Sequence, residues 1–145
     1  MRVSMKVDYG VRALVDLAQN LGGGPIQTAE IAARQGVPEP YLDQLLTSLR
    51  KVGFVNSRRG PNGGYTLAKS PAELNLGMVI TALDGPMIPV DCLDGSLDCN
   101  LAGHCAQQDI WRQVEGQIES LLNSTNLADL VSSQRQHEQR SMYYI

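Results

Sequence analysis

Three cysteines, Cys92, Cys99 and Cys105, are separated by six and then five intervening residues in one short stretch of this 145-residue chain. Thiolates are soft ligands, suited to an iron–sulfur cluster or to zinc. Paired zinc knuckles would need Cys-x-x-Cys spacing, which is absent. Intervening loops of this size can wrap something larger than a single ion. The plainer reading, three small buried residues, sits poorly with an acidic stretch punctuated by proline and glycine. A metal-free reading of the same residues is a thiol switch, in which oxidation to a sulfenic acid or disulfide is the signal. Three thiolates leave a four-ligand site one short. His104 adjoins Cys105, and neighbouring residues seldom reach the same metal, so it reads as a solvated loop histidine. His137 lies far along the chain and reads as a surface residue. Asp8 reads as a favourable negative charge near a helix N-terminus.

The second group able to do chemistry is cationic. Arg58 and Arg59 precede Gly60-Pro61-Asn62-Gly63-Gly64, where glycine permits positive φ and close approach to a partner. This segment is not a nucleotide phosphate loop. Such a loop requires a Lys-Ser/Thr pair after its last glycine, and here Gly64 precedes Tyr65. A cysteine nucleophile would need a histidine held in reach and a preorganised oxyanion site. With two histidines and no elbow motif, an enzymatic role is not expected.

The elements that must position these groups follow from periodicity. Residues 3–21 predict a helix, with Val7, Val11, Leu14, Val15, Ala18 and Leu21 on one stripe. Gly22-Gly23-Gly24-Pro25 stops it. Thr28 is read as the N-cap of a second helix, whose buried face is Ile31, Ala32 and Ala33 and which ends at Gly36. Val37-Pro38-Glu39-Pro40 makes a bend. Residues 41–51 carry Leu42, Leu45, Leu46 and Leu49 as a third stripe, with Asp43, Gln44, Thr47, Ser48 and Arg50 on the polar side. A short helix, a tight turn and a second helix form a helix-turn-helix. Residues 54–67 read as a β-hairpin with the arginines at its tip, and the combination is a winged helix. In that fold the polar face from Tyr41 to Arg50 enters the major groove, and the wing arginines enter an adjacent minor groove.

Residues 72–84 predict a further helix. Residues 87–105, without period, form a long loop of the kind that is usually functional. Residues 109–123 predict a helix with Ile110, Trp111, Val114, Ile118, Leu121 and Leu122 on one face, suited to a dimer seam. Thr125 is read as capping a last short helical piece, and the tail beyond Ser132 as polar and loose. The expected organisation is a DNA-binding domain over 1–84, a cysteine-bearing sensor loop over 85–108, a dimerisation region over 109–131 and a tail over 132–145. The fold class is mainly α with a small β-hairpin wing.

Net charge is −3, which taken alone argues against a nucleic-acid binder. The average hides a split. Residues 1–70 carry nine Lys/Arg against five Asp/Glu, and residues 71–145 carry three against ten. A +4 half joined to a −7 half is a polyanion-binding module fused to something else. An odd cysteine count without a signal peptide argues against a disulfide framework. No apolar run approaches a membrane span. A cytoplasmic protein without membrane contact is expected.

These residues resemble the bacterial winged-helix transcription regulators that include IscR, NsrR and CymR, several of which sense iron–sulfur status, nitric oxide or sulfur metabolism. The resemblance covers essentially the whole chain. It rests on Asp8-Tyr9-Gly10, on Val37-Pro38-Glu39-Pro40-Tyr41-Leu42-Asp43-Gln44-Leu45, on Leu49-Arg50-Lys51-Val52-Gly53, on the wing from Arg59 to Tyr65, on the three-cysteine loop and on Asp109-Ile110-Trp111. It implies a homodimer on a near-palindromic double-stranded operator, with DNA contacts at Pro40, Tyr41, Gln44, Arg50, Arg58, Arg59 and Asn62. It further implies that Cys92, Cys99 and Cys105 hold a [2Fe–2S] or [4Fe–4S] cluster at the dimer interface and that cluster loss or nitrosylation shifts the dimer between DNA-binding forms. IscR-like members take a fourth ligand from a histidine three residues after the last cysteine, where this chain has Gln108. NsrR-like members use an acidic residue of the partner's first helix, and Asp8 occupies that position. Asp8 is thus the implied fourth ligand, with His104 as runner-up. The six-residue first spacing is one wider than usual in these members.

Overall fold

A computed structural model describes residues 2–95 and 98–143. It contains six α-helices and one two-stranded antiparallel sheet: α1 Met5–Gln19, α2 Thr28–Gln35, α3 Glu39–Lys51, β1 Val55–Arg58, β2 Gly64–Leu67, α4 Leu76–Asp84, α5 Gln108–Ser124 and α6 Leu127–Tyr143. Short 3-10 turns lie at Pro71–Glu73 and Asp91–Leu93.

The helix-turn-helix is α2 and α3. Gly36 closes α2 in the left-handed region, with φ 65°, a conformation glycine adopts without the penalty a Cβ would bring. Leu42, Leu45, Leu46 and Leu49 of α3 are all buried. They pack with Leu14, Leu17, Ile31 and Val55 in one core shared by α1, α2, α3, the hairpin and α4.

Several local expectations shift. The first helix ends at Gln19, so Leu21 lies beyond it and is exposed. Its buried arc runs through Val7, Ala13, Leu14, Leu17 and Ala18, with Val11 and Val15 half-buried. Ala33 is exposed. Gln27, not Thr28, is the N-cap of α2. The third helix begins at Glu39, with Pro40 in its first turn, where a missing N–H costs nothing. The fourth is broken in two. Asn75 accepts from the Met78 amide at 2.8 Å and starts α4 anew after the Pro71–Glu73 turn.

The largest difference is at the C-terminal end. Thr125 terminates α5, its hydroxyl donating to the Leu121 carbonyl at 2.9 Å. Asn126 caps α6 instead: its side chain accepts from the Asp129 amide at 2.9 Å, and Asp129 accepts from the Asn126 amide at 3.0 Å. From Leu127 the helix continues without a break to Tyr143, although every residue from 132 to 143 is exposed. The stretch contains neither glycine nor proline. A reciprocal cap, helix-forming residues and the anchors Leu127 and Val131 suffice to propagate it.

Two antiparallel backbone bridges tie the ends of the domain together. Ile26 pairs with Tyr65, the two amides donating at 3.0 and 2.8 Å. Asn75 pairs with Asn126, flanked by bonds from Leu76 to Thr125 and from Leu127 to Leu74, each 2.9 Å. Gly10 lets α1 and α4 touch, since a Cβ there would overlap Leu83.

Candidate functional site

One face gathers the polar side of α3 and the hairpin. The hairpin is in register Val55–Leu67 to Arg58–Gly64, so Arg58 ends the ladder and Arg59 and Asn62 occupy the exposed tip. The tip needs its glycines for contacts within the chain. A Cβ on Gly63 would overlap the Arg58 carbonyl, and one on Gly64, at φ 148°, would overlap the backbone of Ile26. The close approach expected toward a partner is made by the chain's own backbone. Gln27 extends the link, its amide donating to the Pro61 carbonyl at 3.2 Å. Wing, α2 entry and α3 therefore enclose a common cleft, lined by Thr28, Glu39, Asp43 and Arg58 among others.

Along α3, Pro40 and Gln44 are exposed and Tyr41 is half-buried. Tyr41, Gln44 and Ser48 share a second cleft with Lys6 of α1, a cation not singled out from the sequence. Arg50, in the last turn, donates to the Ser57 hydroxyl at 3.3 Å and so lies against the root of the wing. All seven residues expected at DNA fall on α3 or the wing.

The charge of this half is sorted by two ion pairs. Arg12 grips Asp8 through Nε and one terminal nitrogen at 3.1 and 3.0 Å, and donates to the Gln35 carbonyl at 3.3 Å. Arg34 holds Asp16 bidentately at 2.9 and 2.7 Å, and the Gln35 amide adds a third bond to Asp16 at 3.0 Å. The hydrogen bond to Asp16 raises the Arg34 pKa above its ordinary range; partial burial opposes this, and attraction to Asp16 and Glu30 adds to it. Asp16 was not foreseen. The signal was available: it falls between Leu14 and Leu17 on a buried arc, where a carboxylate requires partners. Outside these two pairs, the first 70 residues keep seven cations against three carboxylates, and Arg50, Lys51, Arg58 and Arg59 lie on α3 or the wing.

The cysteines lie between α4 and α5. Cys92 is half-buried in the Asp91–Leu93 turn, Cys99 is exposed, Cys105 is half-buried, and all three are free thiols. The carbonyls of Cys99 and Cys105 each accept a turn bond, from Ala102 at 3.0 Å and from Gln108 at 3.2 Å. Among the described residues, no three His, Cys, Asp or Glu side chains converge to hold a metal ion. Asp8 lies elsewhere, in a groove between α1 and α6 that also contains Arg12 and His137, and His104 is exposed. The donor chemistry suits iron–sulfur ligation, while the described residues of the chain do not bring it together. Directly after these cysteines, α5 buries none of its residues, and Ile110 and Leu121 are 52% and 66% exposed.

A helix-turn-helix with an arginine-tipped wing and a cationic face defines a winged-helix DNA-binding transcription regulator. Residues 3–133 match the family Rrf2, described as an iron-dependent transcriptional regulator, and the chain belongs to that family. The HTH-type transcriptional regulator IscR of Yersinia pestis is 40% identical over 134 residues, covering 92% of this chain and 81% of the relative. Among solved structures, CymR of B. subtilis, titled the global cysteine regulator, superposes with TM-score 0.79 at 34% identity, covering 92% of this chain and 98% of CymR. IscR of T. potens superposes with TM-score 0.74 at 40% identity, covering 92% and 88%. The oxidized form of Staphylococcus aureus CymR gives TM-score 0.74 at 29% identity, covering 90% and 96%. These relatives are named as regulators, not enzymes. Among the described residues, no helix is long and apolar enough to cross a membrane.

Proposed function

We propose that the chain is a homodimeric, sequence-specific transcription regulator whose DNA affinity is set by an iron–sulfur cluster on Cys92, Cys99 and Cys105. The carrying observation is the set of three free thiols in the irregular segment that joins the winged helix to α5, whose Ile110 and Leu121 are exposed. The family description as iron-dependent and the likeness to IscR support it. A second copy laid along α5 would cover Ile110 and Leu121 and bring a fourth donor to the thiolates, with Asp8 of the partner subunit favoured and His104 next. When bound, such a group supplies one-electron redox chemistry and reactivity toward oxidants and nitric oxide. Asp8 accepts one bond from Arg12 at each oxygen within its own protomer, and each oxygen keeps a further lone pair for a ligand, so Arg12 would orient the carboxylate that serves the site. Arg12 also bonds the last residue of α2, so a shift of Asp8 would be passed to the helix-turn-helix.

At DNA, α3 is assigned to the major groove through Pro40, Tyr41, Gln44 and Arg50, and the wing to the minor groove through Arg58, Arg59 and Asn62. A near-palindromic operator follows from the two-fold dimer, and a cytoplasmic location from the DNA target.

Protein purified and reconstituted with iron and sulfide without oxygen should be coloured, and Cys99→Ala should lose the visible absorbance. Colourless, iron-free unaltered protein would remove the cluster while leaving DNA binding intact. The second reading, a metal-free thiol switch, is favoured by the exposure of Cys99 and by the likeness to an oxidized CymR. In that case peroxide should add oxygen to, or cross-link, a cysteine seen by mass spectrometry, and DNA affinity should change with no iron present.

A further inference from the structure

We propose that Tyr9 is a positioning residue for DNA recognition, holding the Tyr41 ring at the start of α3 and linking it to the Arg12–Asp8 pair. This rests on the reading that Tyr41 meets DNA. Tyr9 and Tyr41 form an edge-to-face pair, with ring centroids 5.7 Å apart and planes at 77°. The guanidinium carbon of Arg12 lies 5.6 Å from the Tyr9 centroid, over the ring. Helix geometry makes both relations available at once: from Arg12, Tyr9 is three residues back and Asp8 four, and both spacings place side chains side by side.

The three groups differ in how firmly they are held. Arg12 is fixed by its bonds to Asp8 and to the Gln35 carbonyl. Tyr9 inherits its orientation from Arg12 on one side and from the core on the other, since it packs against the buried cluster. Tyr41 sits in the first turn of α3, where no preceding helical turn limits its rotamer. It lines a cleft of about 220 Å³ with Lys6, Gln44 and Ser48, which leaves room to turn. Tyr41 also packs against the buried cluster, and the edge-to-face contact with Tyr9 adds the directional term that selects one orientation in the free protein. Fixing a side chain before binding removes that ordering cost from the association step, and aromatic pairs of this geometry are strong enough to do so.

The test is a mutant cycle on the full-length protein. It uses a duplex selected by the unaltered protein from a random-sequence pool, with folding checked by thermal melts. Tyr9→Leu should weaken binding about fivefold, and Tyr9→Phe should keep the affinity, because the ring contacts survive. In a Tyr41→Ala background, Tyr9→Leu should have no further effect. Independent, additive losses, or a Tyr9→Phe loss as large as that of Tyr9→Leu, overturn the inference. A Tyr41→Ala protein that binds at full affinity overturns the reading of Tyr41 itself, and the inference with it. Should Tyr9→Leu fail to fold, Tyr9→Met, which keeps an apolar side chain without the ring, takes its place. Its loss should again vanish with Tyr41→Ala, and persistence there is disproof.

Discussion

Arg34 of α2 closes a bidentate ion pair on Asp16 of α1, at 2.9 and 2.7 Å, with the carboxylate side chain only 2% exposed. One arm of the helix-turn-helix is thereby fastened to the helix that carries Asp8. Arg34→Ala leaves the Asp16 carboxylate with the Gln35 amide and, since Arg34 is itself 45% exposed, with access to water, and should cost about 1–2 kcal/mol, read as a lower urea midpoint.

The pH dependence of that clamp has a definite sign. The Arg34 pKa is raised in the folded protein, so this contribution is fully present below the ordinary arginine value and is lost only as pH rises through the raised one. The gap in unfolding free energy between the unaltered protein and Arg34→Ala should therefore be the same at about pH 7 and about pH 9. A gap that shrinks over that interval contradicts the assignment.

In the wing, Gly64 holds a positive φ of 148° with the Ile26 backbone against it. Gly64→Ala should cost more than about 1 kcal/mol and weaken DNA binding as well, because the tip leaves its register. A stable, fully binding Gly64→Ala protein would show that the wing is not docked on Ile26.

Arg59→Ala should weaken operator binding by about 1–3 kcal/mol if the side chain enters a narrow groove or meets a base edge. Loss of a phosphate contact alone would instead flatten the salt dependence by roughly 0.9 in the log–log slope. Titrations at several salt concentrations separate the two.

Leu121 is 66% exposed on a helix with no buried residue. Leu121→Glu should leave the winged helix folded and move the protein from dimer to monomer in sedimentation equilibrium. A variant that unfolds would mean the face packs within its own chain.

How far the sequence carried can be judged from single residues. Leu42, Leu45, Leu46 and Leu49 announce α3 because a buried stripe at helical spacing has few other solutions. The hairpin is equally plain, since its turn residues have narrow backbone preferences. The Asn126–Asp129 cap and the twelve exposed residues that follow on α6 escaped, because a polar stretch without period looks alike whether helical or not. The Asp16 clamp escaped because ion pairs between helices depend on how those helices cross. At the candidate site, the cysteines and the residues proposed to face DNA are visible as types and spacings. The Tyr9–Tyr41 and Arg50–Ser57 contacts depend on tertiary structure and are not, whereas the Asp8–Arg12 pair is an i, i+4 relation within α1 that the spacing offered.

The bridge between Ile26 and Tyr65 has a wider effect than closing the hairpin. It joins the wing to the segment that feeds α2, and with the Arg50–Ser57 bond between α3 and β1 it couples the helix-turn-helix and the wing as one plate. Such a plate cannot adapt by splaying its two probes, and any signal arriving along α1 must turn both together. In the proposed dimer, tolerance for operators of different half-site separation then belongs to the seam between two copies, not to the reading surface itself.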